Sequence, residues 1–161
     1  MTLDPSFSHL GPSGAKMVDV GAKETTARGA LARARVRVGE KVAAAIASDS
    51  VAKGRVLDVA RLAGIQAAKR TWELIPLCHP IPVDLAAVDL SVDHAIVDIR
   101  AEVRSLSRTG VEMEAMTAAS VAALTVYDMC KALDRGIIIE TVYLEEKWGG
   151  KSGPYRRQDA V

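Results

Sequence analysis

The residues best suited to chemistry lie on one long helical run, from Val111 to Asp134. Within it, Asp128 and Lys131 stand three residues apart, which places both side chains on the same face of a helix. The spacing fits a structural ion pair, and it also fits an acid–base pair in which a desolvated lysine exchanges protons near neutral pH. Spacing alone does not choose between these two interpretations.

The same run predicts that these charges are buried. At 100° per residue, one stripe of the helix is about as wide as a usual core-facing surface. An unpaired charge buried there would cost on the order of several kcal/mol, so such groups need partners or a catalytic role. We therefore expect a site on this stripe, which consists of Met113, Glu114, Thr117, Val121, Leu124, Asp128 and Lys131.

A second candidate is the segment Leu77-Cys78-His79-Pro80. Prolines on both sides of His79 predict a rigid loop that could hold an imidazole for catalysis, although a structural histidine fits equally well. Adjacent Cys and His rarely bind one metal, and the sequence has no second ligand pair. We therefore expect no metal site.

Three basic segments could bind phosphates, or could be ordinary solvated surface. Lys53 precedes a predicted helix, where backbone N–H groups attract anions. The segment Gly149–Gly153 imitates part of a phosphate-binding P-loop, but Glu145 stands where the first glycine belongs, so we reject a nucleoside-triphosphatase. The third segment is the early loop that contains Lys23, Thr25, Thr26 and Arg28. Together with Lys53, Lys147, Lys151 and the acid–base pair, this loop favours an anionic, phosphorylated small ligand.

Composition narrows the class of protein. The chain has 161 residues, 49% of them hydrophobic but only 4% aromatic, which predicts one domain with closely packed helices and some apolar surface buried by other subunits. A net charge of +1 excludes the strongly basic surface that binds duplex DNA or long RNA. Cys78 and Cys130 form no C-x-x-C pair, and no leader or membrane span is visible. We expect a soluble cytoplasmic protein.

The hydrophobic pattern predicts an α+β fold. We expect a ferredoxin-like sandwich, with a mainly antiparallel four-stranded sheet and helices on one face. The expected domains are a flexible N-terminal arm over 1–16, a single catalytic domain over 17–155 and a C-terminal tail over 156–161. The predicted elements are strand Ala30–Val38, helices Glu40–Ala47 and Val56–Leu74, a hairpin of Leu85–Val92 and Ile96–Ser105, helix Val111–Asp134 and strand Ile137–Glu146.

Several longer strings resemble one family. They are M-V-D-V at 17–20, K-G at 53–54, A-R-L-A-G-I-Q-A-A-K-R-T at 60–71, L-I-P-L-C-H-P at 74–80, T-G-V-E-M-E-A-M-T-A at 109–118, Y-D-M-C-K-A at 127–132 and G-G-K-S-G at 149–153. In this order they resemble the cyclic pyranopterin monophosphate synthases, the molybdenum cofactor biosynthesis protein C family. The resemblance runs from about Met17 to Tyr155.

This resemblance implies a lyase of molybdenum cofactor (molybdopterin) biosynthesis. Such enzymes convert (8S)-3′,8-cyclo-7,8-dihydroguanosine 5′-triphosphate to cyclic pyranopterin monophosphate and release pyrophosphate, downstream of a radical S-adenosylmethionine GTP cyclase. The resemblance implies that the enzyme needs no cofactor, although Mg²⁺ could accompany the triphosphate. The implied assembly is a homohexamer, a trimer of dimers with sites at the dimer interface. The resemblance implies no nucleic acid or membrane partner.

The resemblance also assigns site residues. Asp128 and Lys131 match the catalytic positions. Four residues differ from those the family often has, namely Gly21, Arg55, Ser107 and Trp148, and we expect Arg55 and Trp148 to lie near the phosphates. The matching substrate-binding positions are Lys53, Leu77, Cys78, His79, Glu112, Met113 and Glu114, together with the loop positions Asp19, Lys23, Arg28, Lys147 and Lys151.

Three rival functions fit parts of this pattern. Ferredoxin-like domains also serve as catalytically silent ligand sensors, in which the charged residues of the helix would be structural. An RNA-binding module would need exposed aromatic side chains on its sheet, and the predicted strands contain only Tyr143. A metallohydrolase would carry stoichiometric zinc at Cys78 and His79.

Overall fold

The computed structural model describes residues 10–11 and 14–158 and confirms the α+β class. Four long strands and four helices follow one another in the expected order, with shorter strands near the two ends. In chain order the elements are β1 (Leu10–Gly11), β2 (Gly14–Ala15), β3 (Thr26–Arg37), α1 (Glu40–Ala47), α2 (Val56–Ala68), α3 (Thr71–Leu74), β4 (Leu85–Asp93), β5 (Ile96–Ser107), α4 (Glu112–Cys130), β6 (Ile138–Trp148) and β7 (Tyr155–Arg156).

The main sheet has the strand order β4-β5-β3-β6-β7, and every neighbouring pair is antiparallel. With α2 and α4 packed on one face, this arrangement is compatible with the ferredoxin-like sandwich expected from the sequence. The expected count of four strands is one short, because Tyr155 and Arg156 return alongside the end of β6 as a fifth strand. β1 and β2 pair separately.

The central strand β3 has two different faces, as its alternating pattern predicts. The side chains that point toward the helices are at most 2% exposed, and they are Ala30, Ala32, Ala34 and Val36. The opposite face carries arginines that pair with glutamates of β6: Arg33 Nε lies 2.5 Å from Glu145 Oε2, and Arg37 Nε lies 2.6 Å from Glu140 Oε1. The open face of the sheet is thus a surface of paired charges.

The face of α4 that packs on the sheet is not the predicted stripe. The residues with no exposed surface are mostly alanines, namely Ala115, Ala118, Ala119, Ala122, Ala123, Val126 and Cys130. Of the stripe, Glu114 and Thr117 are buried, whereas Met113 is 40% and Leu124 56% exposed. Asp128 and Lys131 are exposed too, so the prediction of a buried acid–base pair is wrong for the single chain.

The reason for this error is the composition of α4. The helix is apolar around most of its circumference, so hydrophobic periodicity does not identify its core-facing side. Alanine lets neighbouring backbones approach closely, and Gly64 of α2 packs against Ala118 and Ala122 of α4. Close packing therefore selects the small side chains for the core and leaves the larger Leu124 outside.

The single helix predicted over Val56–Leu74 is also wrong, because the structure has two helices there, α2 and α3. The break falls at Arg70, whose φ is −121°. Immediately after it, the buried hydroxyl of Thr71 donates to the carbonyl oxygens of Ala67 and Ala68, both at 3.2 Å. Such local side-chain hydrogen bonds compete with continuation of the helix, and no proline or glycine marks the break in the sequence.

The predicted N-terminal arm and C-terminal tail fall largely outside the described residues, which exclude 1–9, 12–13 and 159–161. Of the helices in the described ranges, none is both long and apolar enough to cross a membrane.

Candidate active site

Two ammonium groups bracket one carboxylate at the C-terminal end of α4. Asp128 Oδ1 accepts from Lys131 Nζ at 2.6 Å, and Asp128 Oδ2 accepts from Lys53 Nζ at 2.8 Å. Lys53, from the turn before α2, also donates to the backbone oxygen of Asp128 at 2.8 Å. We call Lys53, Asp128 and Lys131 the lysine–aspartate cluster.

The cluster carries one uncompensated positive charge. The hydrogen bonds from Lys131 and then from Lys53 lower the pKa of Asp128 from 3.8 to about 2. Asp128 is therefore ionised throughout the physiological range and cannot act as the proton donor. Since its side chain is 56% exposed, the cluster meets solvent in the single chain. This arrangement can orient an ammonium toward an anion or a proton acceptor.

A separate cavity of about 390 Å³ opens at the N-terminal end of α4, and we call it the polar pocket. It lies between the start of α4, the proline-bracketed loop and the segment that precedes β3. Its lining residues are Val18, Val20, Lys23, Leu77, Cys78, His79, Thr109, Gly110, Glu112, Met113 and Glu114.

Glu114 is the most perturbed group of the polar pocket. Its residue is only 4% exposed, and it has no ion-pair partner within the described part of the chain. Burial raises the pKa of its carboxyl from 4.5 to about 7, helped by the charge of Glu112 and opposed by a backbone hydrogen bond. At neutral pH both forms of Glu114 are populated, so it can donate or accept a hydrogen bond.

Cys78, beside it, is a neutral thiol at pH 7. Burial raises the pKa of Cys78, and the charge of Glu114 raises it further. A thiol held neutral is a poor nucleophile, so Cys78 fits a contact role. The described residues contain no group of three or more His, Cys, Asp or Glu side chains that could hold a metal ion.

His79 holds the segment before β3 on the polar pocket. Its Nε2 lies 2.7 Å from the carbonyl oxygen of Val18. A carbonyl only accepts, so Nε2 carries the hydrogen, and in the neutral ring Nδ1 is left as an acceptor. Asp19, which follows Val18 in the chain, is exposed, and its Oδ1 accepts a hydrogen bond from the backbone N–H of Gly21 at 2.8 Å.

A second cavity, of about 450 Å³, adjoins the polar pocket and shares Lys23 with it. We call it the loop pocket, and its lining residues are Lys23, Glu24, Thr26, Arg28, Gly150, Lys151 and Ser152. Three cationic side chains against one carboxylate suit an anion. Arg28 is already fixed there, because its Nε donates to the oxygen of Ser107 at 3.1 Å and its Nη2 to that of Arg108 at 3.3 Å.

Lys147 connects the two pockets. Its Nζ lies 3.8 Å from Glu112 Oε1, in the polar pocket, and also donates to the hydroxyl of Ser152, in the loop pocket. Only 19% of the Lys147 side chain is exposed, so its position is restricted. The Lys147 ammonium thus contacts one lining residue of each pocket.

The structure thus places the sequence-predicted residues in two groups. Along a helix that rises 1.5 Å per residue, the Cα atoms of Glu114 and Asp128 are roughly 21 Å apart. The lysine–aspartate cluster therefore does not share a cavity with the other candidates in one chain. Those that line or adjoin the two pockets are Asp19, Lys23, Arg28, Leu77, Cys78, His79, Glu112, Met113, Glu114, Lys147 and Lys151.

Some site residues were not predicted individually. Thr109 and Gly110 line the polar pocket at the turn into α4, and a Cβ on Gly110 would overlap the Glu112 carboxylate. The sequence signal that could have identified this turn is Gly110, two residues before Glu112 at the start of α4. Arg55 is 71% exposed and pairs with Asp49 and Asp58, and it does not line the loop pocket; its expected place near the phosphates stays a prediction.

The chain is an α+β protein in which a polar pocket adjoins a basic pocket at Lys23. The chain belongs to the MoaC family, whose match covers residues 17–150. Curated relatives named cyclic pyranopterin monophosphate synthase include one from Bordetella petrii, 54% identical over 94% of this chain and 96% of its own. Another, from Pelobacter propionicus, is 54% identical over 96% and 98%. A third, from Thermomicrobium roseum, is 53% identical over 95% and 94%.

Proposed function

We propose that this protein is a cyclic pyranopterin monophosphate synthase of molybdenum cofactor biosynthesis. Its substrate would be (8S)-3′,8-cyclo-7,8-dihydroguanosine 5′-triphosphate, and its products cyclic pyranopterin monophosphate and pyrophosphate. Family membership and the names of the relatives support this function. The observation that carries it is the joining of a hydrogen-bonding pocket to a basic pocket at Lys23, which suits a guanine-like ring system bearing a triphosphate.

The residues divide the work by their chemistry. Glu112, Glu114 and His79 orient the guanine-like and ribose parts through their hydrogen-bonding groups, with Leu77, Cys78 and Met113 as further contacts. The loop cations neutralise the triphosphate while the phosphate cyclises and pyrophosphate leaves. Lys131, oriented by Asp128, moves protons as the rings open and reclose. The reaction requires no redox cofactor, and any Mg²⁺ would arrive with the triphosphate.

We infer that two copies of the chain complete each site. The cluster and the polar pocket are roughly 21 Å apart on one helix, too far for one small substrate to bridge. Apolar side chains near the outer face of α4 remain exposed, namely Met113, Leu124 and Leu133. A second copy covering this face would bury them and bring its own cluster to the pocket. We expect a cytoplasmic homohexamer, a trimer of dimers, acting after a radical S-adenosylmethionine GTP cyclase.

The function is tested by incubating the purified protein with the cyclised nucleotide. We expect equimolar pyrophosphate and a pterin product, measured by a coupled phosphate assay and by fluorescence after oxidation. GTP itself, which lacks the new carbon–carbon bond, serves as the matched control and should give neither product. Tight binding of the cyclised nucleotide with neither product would favour the ligand-sensor alternative instead.

The shared site makes a prediction about mixed assemblies. Lys131→Ala and Glu112→Gln should each be inactive alone, because each removes one half of every site. Co-expressed, the two variants form mixed dimers with one intact site, so up to about a quarter of wild-type turnover should return. Mixing two preparations of the same variant is the control. No recovery in co-expressed protein, or a monomeric mass in light scattering, would contradict a site shared between copies.

A further inference from the structure

Trp148, the last residue of β6, lies against the glycine opposite it on β3. The Cα atoms of Gly29 and Trp148 are partners in the register of the two strands. A Cβ built on Gly29 would lie 2.0 Å from Trp148 Cζ2 and 2.1 Å from Cε2, so the indole occupies the space that any other side chain would fill. An aromatic ring over a cross-strand glycine restores packing that the glycine alone would lack.

The indole also has a charged neighbour. The Arg104 guanidinium lies 6.0 Å from the centre of the Trp148 ring, at the outer limit of a cation–π contact. Arg104 is itself held, because its Nε donates to Glu102 Oε1 at 2.7 Å and Glu102 is only 8% exposed. The indole therefore packs on Gly29, with the Arg104 guanidinium as a second neighbour.

The residues on both sides of Trp148 belong to the pockets. Lys147 precedes it and points to the opposite face of β6, toward Glu112 and Ser152. Gly149 and Gly150 follow with φ of +82° and +72° and lie directly on β3: a Cβ on Gly149 would be 2.1 Å from the oxygen of Ala27, and one on Gly150 2.3 Å from Arg28 Nη1. Fixing Trp148 thus fixes where the strand ends and the basic turn begins.

We propose that Trp148 is a positioning residue that holds Lys147 and the 149–152 turn against Arg28 and so sets the affinity of the loop pocket for phosphate groups. This inference rests on the proposed function only for the identity of the full substrate. The ring does not line the loop pocket itself. Its effect on a ligand must therefore pass through the backbone and through Lys147.

The test compares Trp148→Ser and Trp148→Phe with the wild type. Trp148→Ser should raise the Kd for pyrophosphate, measured by calorimetry on the full chain, about tenfold, the loss expected when one charge-assisted hydrogen bond is misplaced. The KM for the cyclised nucleotide should rise similarly, with a smaller change in kcat. Trp148→Phe keeps a flat ring over Gly29 and should restore most of the affinity.

A second route does not depend on removing the ring. Gly29→Ala should displace the indole and raise the Kd for pyrophosphate. The Gly29→Ala/Trp148→Ser double variant should bind pyrophosphate no more weakly than the weaker-binding single variant, since both substitutions break the same contact. The chain has two tryptophans, so a Trp72→Phe protein reports Trp148 alone. Its emission should shift when pyrophosphate binds, and its Kd should equal that of the wild type.

Each arm has an outcome that overturns the proposal. If Trp148→Ser lowers Tm but leaves Kd and KM unchanged, Trp148 is only structural. Additive losses of affinity in the Gly29→Ala/Trp148→Ser double variant would mean that the two residues act independently. If the wild type does not bind pyrophosphate, the loop pocket is not an anion site. If the wild type binds pyrophosphate but forms no product, the proposed function fails while the Kd series still decides the role of Trp148.

Discussion

Lys131→Ala should lower kcat for the cyclised nucleotide by about 10²–10³-fold, the usual cost of removing one preorganised charge from a reacting centre. The variant should still fold, because the ion pair it loses is exposed and such pairs contribute little to stability. Asp128 would keep Lys53 as its partner at 2.8 Å. Turnover is measured by pterin fluorescence, and folding by the Tm.

Two further variants sharpen this result. Lys41→Ala, on the exposed side of α1, removes a lysine that does not belong to the cluster and should leave kcat unchanged. Asp128→Asn keeps the shape of the side chain but removes the negative charge that orients both ammonium groups, so we expect a loss of similar size to that of Lys131→Ala. A folded Lys131→Ala protein with wild-type turnover would refute the catalytic assignment and leave the cluster as a structural ion pair.

Glu114→Gln should make the protein more stable at alkaline pH, by up to about 3 kcal/mol. The pKa of Glu114 is about 7 in the folded chain and 4.5 ordinarily, chiefly because its carboxyl is buried. Between pH 4.5 and 7 the folded state binds a proton that the unfolded state has lost. Stability therefore falls as pH rises through this window, and above pH 7 the full cost of a buried charge remains.

Urea denaturation at pH 5 and pH 8 measures this effect. The wild type should lose more unfolding free energy than Glu114→Gln between the two values, because the glutamine has no charge to desolvate. Glu73→Gln, an exposed acid on α3, is the matched control and should follow the wild type. Equal pH dependence in the wild type and Glu114→Gln would mean that the carboxyl is solvated in the assembled protein, contrary to its 4% exposure in the chain.

Local patterns were sufficient for most elements. Strand β3 and the hairpin of β4 and β5 appear in the predicted order, since period-two burial is a local property, although β3 begins at Thr26 rather than Ala30 and its burial alternates only beyond Ala32. Helix α1 has the predicted limits, Glu40–Ala47. The break between α2 and α3 was missed because it depends on one threonine hydroxyl that bonds backward to its own helix.

The candidate site was partly predictable for a similar reason. The family strings identified Glu112, Glu114 and His79, and the structure brings all three to one pocket. The helix predicted over Val111–Asp134 already puts Asp128 and Lys131 at the far end from that pocket, but no local pattern shows that they are exposed rather than buried. Their assignment as the catalytic pair stays a prediction for the Lys131→Ala and Asp128→Asn experiments.

The α+β class, the order of the elements and the family were all predictable from the sequence, because they follow from periodicity and from long motifs read along the chain. The buried face of α4 became apparent only in the folded chain, since close packing of Ala115, Ala119 and Ala122 selects that face. Tertiary packing also buries Glu114 with no ion-pair partner among the described residues. The pairing of β3 with β6 seats Trp148 on Gly29, a contact between residues far apart in the chain that no local pattern records.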